Sequence, residues 1–155
     1  MTVDKIVTQK EELEIIGATL LSIEEAEKLP LRLRKYNRWW WLRSPGYFSN
    51  FATGVSSGGS VDRHGYRVSS SIVAVRPALI IKNLKSSNLK ILDQFEFGGK
   101  IFEVISKDTS FCLEDIGIYT FRKNYKIEDN NANDYEKSDI KKFVDDWFEN
   151  ANKEK

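Results

Sequence analysis

The single histidine of the chain lies in Asp62-Arg63-His64-Gly65-Tyr66-Arg67, beside one carboxylate and two guanidinium groups. An imidazole next to an acid is the pair that general acid–base chemistry uses, but it also needs a nucleophile within reach and an acid that orients the ring. One histidine in a turn sequence does not supply these, so hydrolase-like chemistry at His64 and Asp62 ranks last among the functional readings. Cys112, the single cysteine, alternates with apolar neighbours in Ser110-Phe111-Cys112-Leu113 and reads as a small buried hydrophobe. One His and one Cys do not make a four-ligand zinc site, and one cysteine excludes an internal disulfide. No metal and no cofactor is expected, and the chain is read as a non-enzyme.

Recognition chemistry is better represented. Arg38 is followed by Trp39, Trp40 and Trp41, then by Leu42-Arg43-Ser44-Pro45-Gly46-Tyr47-Phe48. Neighbours on a strand point to opposite faces, so either Trp40 is buried while Trp39 and Trp41 share the other side, or the reverse. Trp40 is assigned to the framework, and Trp39, Trp41, Tyr47, Phe48, Arg63, His64, Tyr66 and Arg67 are the candidate binding residues. Arg43 and Arg76 carry planar forks suited to holding backbone carbonyls or a carboxylate under a turn. Pro45 and Pro77 fix φ at strand ends, and with Gly46 and Trp147 they complete the framework set. The stretch from Tyr47 to Ser71 is rich in Ser, Gly, Tyr and Arg, the mixture recognition loops use.

The net charge of +1 hides an asymmetry: residues 1–27 carry two Lys/Arg against seven Asp/Glu, residues 28–87 eleven against one, and residues 88–155 eleven against fifteen. Either the acidic segments neutralise the basic middle, or the middle is an anion surface. In the second case Lys28, Arg32, Arg34, Lys35 and Arg38 would contact nucleic-acid phosphates.

These residues need a scaffold. A chain of 155 residues with nine Phe, six Tyr and four Trp is long enough for one domain with a real core. No apolar run approaches the roughly 20 residues of a membrane span, and the polar, acidic start is unlike a signal peptide, so no membrane partner and a cytoplasmic location are expected. Ser22 with Glu25 three residues on is a capping-box spacing, predicting a short helix over 23–28 that Pro30 ends. Leu31 to Arg38 is helix or loop, and exposed. From Trp39 the pattern turns to short strands: "WWWLR", "FATGV", "SVDRHGYRV" and "IVAVRPALII", with "SGGS" or "DRHG" at the hairpin tip. Residues 82–94 form a polar connector. "FEFGGKIFEVI" reads as a hairpin about Gly98-Gly99, offering Phe95, Phe97 and Ile101, with Phe102 or Val104 as well, to a core. "SFCLEDIGIYTF" continues in strand fashion, and "KIEDNNANDYEK" is a polar loop without a core residue. Ser138 caps a helix whose Ile140, Phe143, Val144, Trp147 and Phe148 form one apolar stripe.

"WWLRSPG" with "VAVRPALII" some thirty residues on, preceded by "LLSIEEAEKL", resembles an uncharacterised domain family of bacterial and phage proteins over residues 18–81. "FEFGGKIFEVISKD" with "NDYEKSDIKKFVDDWF" is similar to that family's opening half. The resemblance implies an α+β, C-type-lectin-like and formylglycine-generating-enzyme-like fold of short twisted antiparallel strands with one or two packing helices. The halves, 18–81 and 95–148, then stand in circularly permuted order, or are exchanged between chains in a swapped homodimer. The first and last strands of that group pair, which would set "FEFGGKIFEVI" beside "VAVRPALII". The calcium loop of sugar-binding lectins and the paired cysteines of the formylglycine enzymes are absent from this sequence.

The leading expectation is a non-enzymatic, protein-binding module using the 47–71 region. The alternative is a phage or mobile-element inhibitor, of the anti-CRISPR kind, or a nucleic-acid-associated factor using the basic 28–43 segment.

Overall fold

In the computed structural model, which describes residues 6–7, 13–84, 87, 89–126 and 131–153, the strands are β1 (Ile6–Val7), β2 (Ile15–Thr19), β3 (Trp40–Pro45), β4 (Phe51–Val55), β5 (Val61–Arg67), β6 (Ala78–Ile81), β7 (Gln94–Phe97), β8 (Lys100–Ser106) and β9 (Thr109–Cys112). The helices are α1 (Ile23–Glu27), α2 (Leu31–Arg34) and α3 (Asp139–Lys153), with a 3-10 turn at Tyr135–Lys137. The fold is mixed α+β, and its strands are mostly antiparallel. The chain divides into two compact units: Met1–Thr19, Arg76–Ile116 and Val144–Lys155 form one, and Leu20–Val75 with Gly117–Phe143 the other. Residues 18–81 and 95–148 therefore each contribute to both units.

The first unit is a six-stranded sheet in the order β1-β7-β8-β9-β6-β2. Gly98 and Gly99, both at positive φ, make the two-residue hairpin turn between β7 and β8 that twisted strands favour. This turn sets Phe97 opposite Lys100 and Phe95 opposite Phe102. Phe95, Phe97, Phe102 and Val104 consequently share the buried face, whereas Ile101, expected there, pairs with Glu96 on the other side and is half-buried. Trp147 and Phe148 of α3 pack against Phe97 at ring separations of 6.0 and 5.8 Å, and burial of rings of this size contributes about 2 kcal/mol each. Leu84 and Leu89 join the same core, so residues 82–94 are more than a polar connector; positions 85, 86 and 88 lie outside the described residues.

The β7–β8 hairpin shares a sheet with β6 but does not lie directly beside it. β9 intervenes, because it pairs Phe111 with Ala78 on one side and with Glu103 on the other. Cys112 sits in this core, where burial pushes its thiol up to about 12, beyond nucleophilic use at neutral pH. Arg76 is 2% exposed, lies over the Phe111 ring at 4.4 Å and donates Nη2 to the Cys112 carbonyl, while Pro77 accepts from the Cys112 N–H.

One turn in this unit is strained. Lys90 to Asp93 closes with the Asp93 N–H on the Lys90 carbonyl, and Leu92 holds φ of 83° with its side chain 59% exposed. A left-handed backbone costs a non-glycine residue about 1 kcal/mol or more, and this leucine recovers little by burial. Leu92→Gly is expected to raise the melting temperature by about 2 °C, while Leu92→Ala leaves it within error. A loss of stability in Leu92→Gly, read by thermal unfolding, would show that the turn is not left-handed.

The second unit is built on the sheet β3-β4-β5. Its β4–β5 tip is Ser56–Ser60, not Asp62–Gly65, which lies inside β5. Trp40 and Trp41, on opposite faces of β3, are both buried, at 0% and 1% exposure. The Trp40 Nε1 donates to the Arg34 carbonyl at 3.0 Å on one side, and the Trp41 Nε1 to the Tyr119 carbonyl at 2.8 Å on the other. Beyond β3 the backbone continues through Ala74, which bridges to Trp40 and to Ile118. Phe121 and Tyr135 complete this core, with Phe121 edge-on to Trp41 at 5.4 Å. The 126–137 stretch, expected to hold no core residue, thus contributes Tyr135, Ala132 and Asn133; positions 127–130 lie outside the described residues.

The capping box forms: Ser22 Oγ accepts from the Glu25 N–H and Glu25 Oε1 accepts from the Ser22 N–H. Ser138 likewise caps α3 through the Lys141 N–H. The α3 residues up to Phe143 belong to the second unit, where the Phe143 ring stacks on Tyr119 at 4.2 Å, and those from Val144 on belong to the first. Among the described residues no helix is long and apolar enough to cross a membrane.

Candidate functional site

The turn after β3 brings rings to the surface of the second unit. Gly46 is required there, because a Cβ would press on the His64 and Phe51 carbonyl oxygens at 2.6 and 2.9 Å. The Gly46 N–H donates to the Phe51 carbonyl and the Tyr47 N–H to the His64 carbonyl, so the loop folds flat against the bulge of β5. Asn133 fastens it from below, donating Nδ2 to the carbonyls of Phe48 and Phe51 at 3.1 and 3.0 Å. The result is a ring cluster: Tyr47 stacks on His64 at 5.5 Å, and Phe48 and Phe51 meet His64 edge-on at 5.6 and 5.4 Å. Tyr47 is 74% and Phe48 48% exposed. Trp39 and Tyr66 form a second pair at 4.4 Å, both half-buried.

Asp62 does not orient the imidazole. Its Oδ1 accepts from the backbone N–H groups of His64 and Gly65, at 3.0 and 3.1 Å, and the His64 ring packs on aromatic rings. This arrangement shapes the β5 bulge and assembles no acid–base pair. Trp41, read from the sequence as a binding aromatic, leaves the candidate surface because segment 117–121 covers the face of β3 it occupies.

Several basic candidates are already engaged. Arg34 donates Nε to the Gly59 carbonyl at 2.8 Å and Nη1 to the Leu29 carbonyl at 2.7 Å, holding the Ser-Gly turn of the β4–β5 hairpin. It is a strut of the fold, so it leaves the nucleic-acid set. Arg43 donates Nη1 to the Leu20 carbonyl and to Glu25 Oε1, and Arg63 pairs with Glu27 at 2.7 Å. The α1 carboxylates thus offset part of the basic middle. Lys28, Arg32, Lys35, Arg38 and Arg67 are exposed, with Arg38 reaching the Ile72 carbonyl at 3.5 Å. Among the described residues no group of three His, Cys, Asp or Glu side chains is arranged to hold a metal.

Burial would raise the pKa of Glu25, but the Ser22 N–H, the Arg43 guanidinium and the Ser22 hydroxyl outweigh it and hold the carboxyl below its ordinary 4.5. A carboxyl depressed in the folded state adds stability that is complete above the unfolded value and is lost as pH falls through the folded one. Glu25→Gln is therefore expected to shrink the difference in urea midpoint between pH 7 and pH 3. An unchanged difference would remove Glu25 from the acid response.

Asn133 was hidden in the sequence by a polar stretch that reads as solvated loop; only its neighbour Tyr135 carried an apolar signal. Residues 7–83 match the model of a family described as Domain of unknown function (DUF6273), a span that runs from β1 to just past β6. Nothing among curated proteins and nothing among solved structures matches the chain.

Proposed function

We propose, taking the family match over residues 7–83 together with the exposed ring cluster, that the chain is a non-enzymatic module that recognises a protein through the 47–71 region and acts in the cytoplasm. One observation carries the reading: Tyr47 and Phe48 stand out of the surface while their loop is pinned by the side chain of Asn133. Rigid aromatic anchors lose little entropy on docking, which is why such residues dominate protein interfaces. The C-type-lectin-like and circularly permuted description belongs to the same reading. It is supported by the antiparallel pairing of β2 with β6, which sets Ala18 opposite Leu79 and so brings the two ends of the 18–81 half side by side.

Tyr47→Ala with Phe48→Ala is expected to change stability by less than about 1 kcal/mol, since both side chains are exposed. Loss of two aromatic anchors weakens a protein complex about 100-fold or more. The parent and the double variant serve as paired baits in nuclease-treated bacterial lysate. Proteins held by the parent and lost by the variant support the reading, and equal retention by both, or none by either, sinks it. A salt-sensitive gel shift with short DNA or RNA, lost on reversing Lys28, Lys35 and Arg38 to Glu, would move the function to the nucleic-acid alternative.

A further inference from the structure

An open cavity of about 470 Å³ lies in the second unit between the C-terminal end of β3 and the 131–136 segment, with Arg43 and Ser44 on one wall and Asn133, Asp134 and Glu136 on the other. Its size falls within the range of small-molecule sites. Arg43 spends Nη1 on the Leu20 carbonyl and on Glu25, but among the described residues no hydrogen bond takes its Nε or Nη2, and its side chain is 34% exposed. The opposite wall carries acceptors on Asn133, Asp134 and Glu136, beside Asn131 and Tyr135. Asn133 is 7% exposed, and its two donations from Nδ2 to the Phe48 and Phe51 carbonyls fix the direction of the amide. Its Oδ1 accepts no hydrogen bond from the described residues, and Asn133 lines the cavity. Asp134 accepts the Glu136 N–H through Oδ1 alone, and the Glu136 carboxylate takes no partner among the described residues.

A ligand that satisfies this cavity presents an acceptor to a planar cationic fork and a cationic donor to two carboxylates and an amide oxygen. A dianion meets Asp134 and Glu136, and Glu25 already offsets the charge of Arg43. A simple cation leaves the open donors of Arg43 unused. We propose that this cavity binds a small amino-acid-type zwitterion, its carboxylate on Arg43 and its ammonium group among Asn133 Oδ1, Asp134 and Glu136. The site stands apart from the aromatic surface, although Asn133 touches both, so occupancy should also register at the Phe48 and Phe51 amides.

L-Glutamine, whose neutral side chain adds no charge, is the probe, compared with N-acetyl-L-glutamine and L-glutaminamide, each lacking one charge. Titration of the full chain followed by amide NMR is expected to give saturable shifts at 133–136, 48 and 51 with L-glutamine, and affinities about tenfold weaker for each blocked analogue. Glu136→Gln, an exposed and isosteric change, should weaken L-glutamine and L-glutaminamide about tenfold and leave N-acetyl-L-glutamine unchanged. No saturable shift with L-glutamine overturns the proposal. So do equal affinities for the three compounds, or binding indifferent to both Glu136→Gln and Asp134→Asn. Failure of the Tyr47/Phe48 experiment leaves these outcomes untouched, because it reads protein capture and not the cavity.

Discussion

Trp41→Ala is expected to cost about 4 kcal/mol of folding stability, within the range for removing a large buried ring. The indole is 1% exposed, its ring lies edge-on to Phe121 at 5.4 Å, and its N–H satisfies the Tyr119 carbonyl. Truncation therefore opens a void and removes that donor, and a stability of about 5–15 kcal/mol is typical for a whole domain. Trp41→Phe separates the two contributions: it keeps much of the ring volume but not the N–H, and should cost about 1–3 kcal/mol. Urea unfolding followed by circular dichroism reads both. A Trp41→Ala variant within about 1 kcal/mol of the parent would mean that the ring is at the surface, and the binding role drawn for it from sequence alone would return.

The contrast between Trp40 and Trp41 marks how far the sequence could be read. Strand alternation places neighbouring tryptophans on opposite faces, and β3 obeys it. What alternation does not say is that both faces are covered, because the cover comes from α2 on one side and from residues 117–121, almost eighty positions away, on the other. Local signals were readable for the same reason in reverse. The Ser22–Glu25 box, the Gly98-Gly99 turn and the stripe of α3 each depend on residues within a few positions. β9 reads as a strand from Ser110-Phe111-Cys112 and follows β8 as a local hairpin, but its pairing with β6 is non-local, and four residues do not encode it. Tyr47, Phe48 and His64 were named from residue type alone, whereas their exposure depends on Gly46 and on Asn133, whose part in the loop has no local signature.

Gly65→Ala should be the substitution that disables the candidate surface through the backbone. Gly65 has φ of +91°, and a Cβ there would overlap the Ala52 carbonyl. Along β4 the pairing advances from Ala52 to Gly54 while β5 runs back from Tyr66 to Asp62, so residues 63–65 form the bulge that turns His64 toward Tyr47. Backbone strain alone costs about 1 kcal/mol, and moving a central strand away from the new methyl adds about 2 more. Gly99→Ala isolates the first contribution, since Gly99 has φ of +78° and nothing within 4 Å of its added Cβ. The expected result is a loss of about 3 kcal/mol for Gly65→Ala against about 1 for Gly99→Ala in urea unfolding. In Gly65→Ala the upfield ring-current shift that Tyr47 imposes on the His64 ring protons should also vanish, with no such change in Gly99→Ala. Equal destabilisation by the two, or an unaltered His64 spectrum in Gly65→Ala, would show that the bulge is not what presents the aromatic cluster, and the rigidity on which the proposed recognition depends would have to come from Asn133 alone.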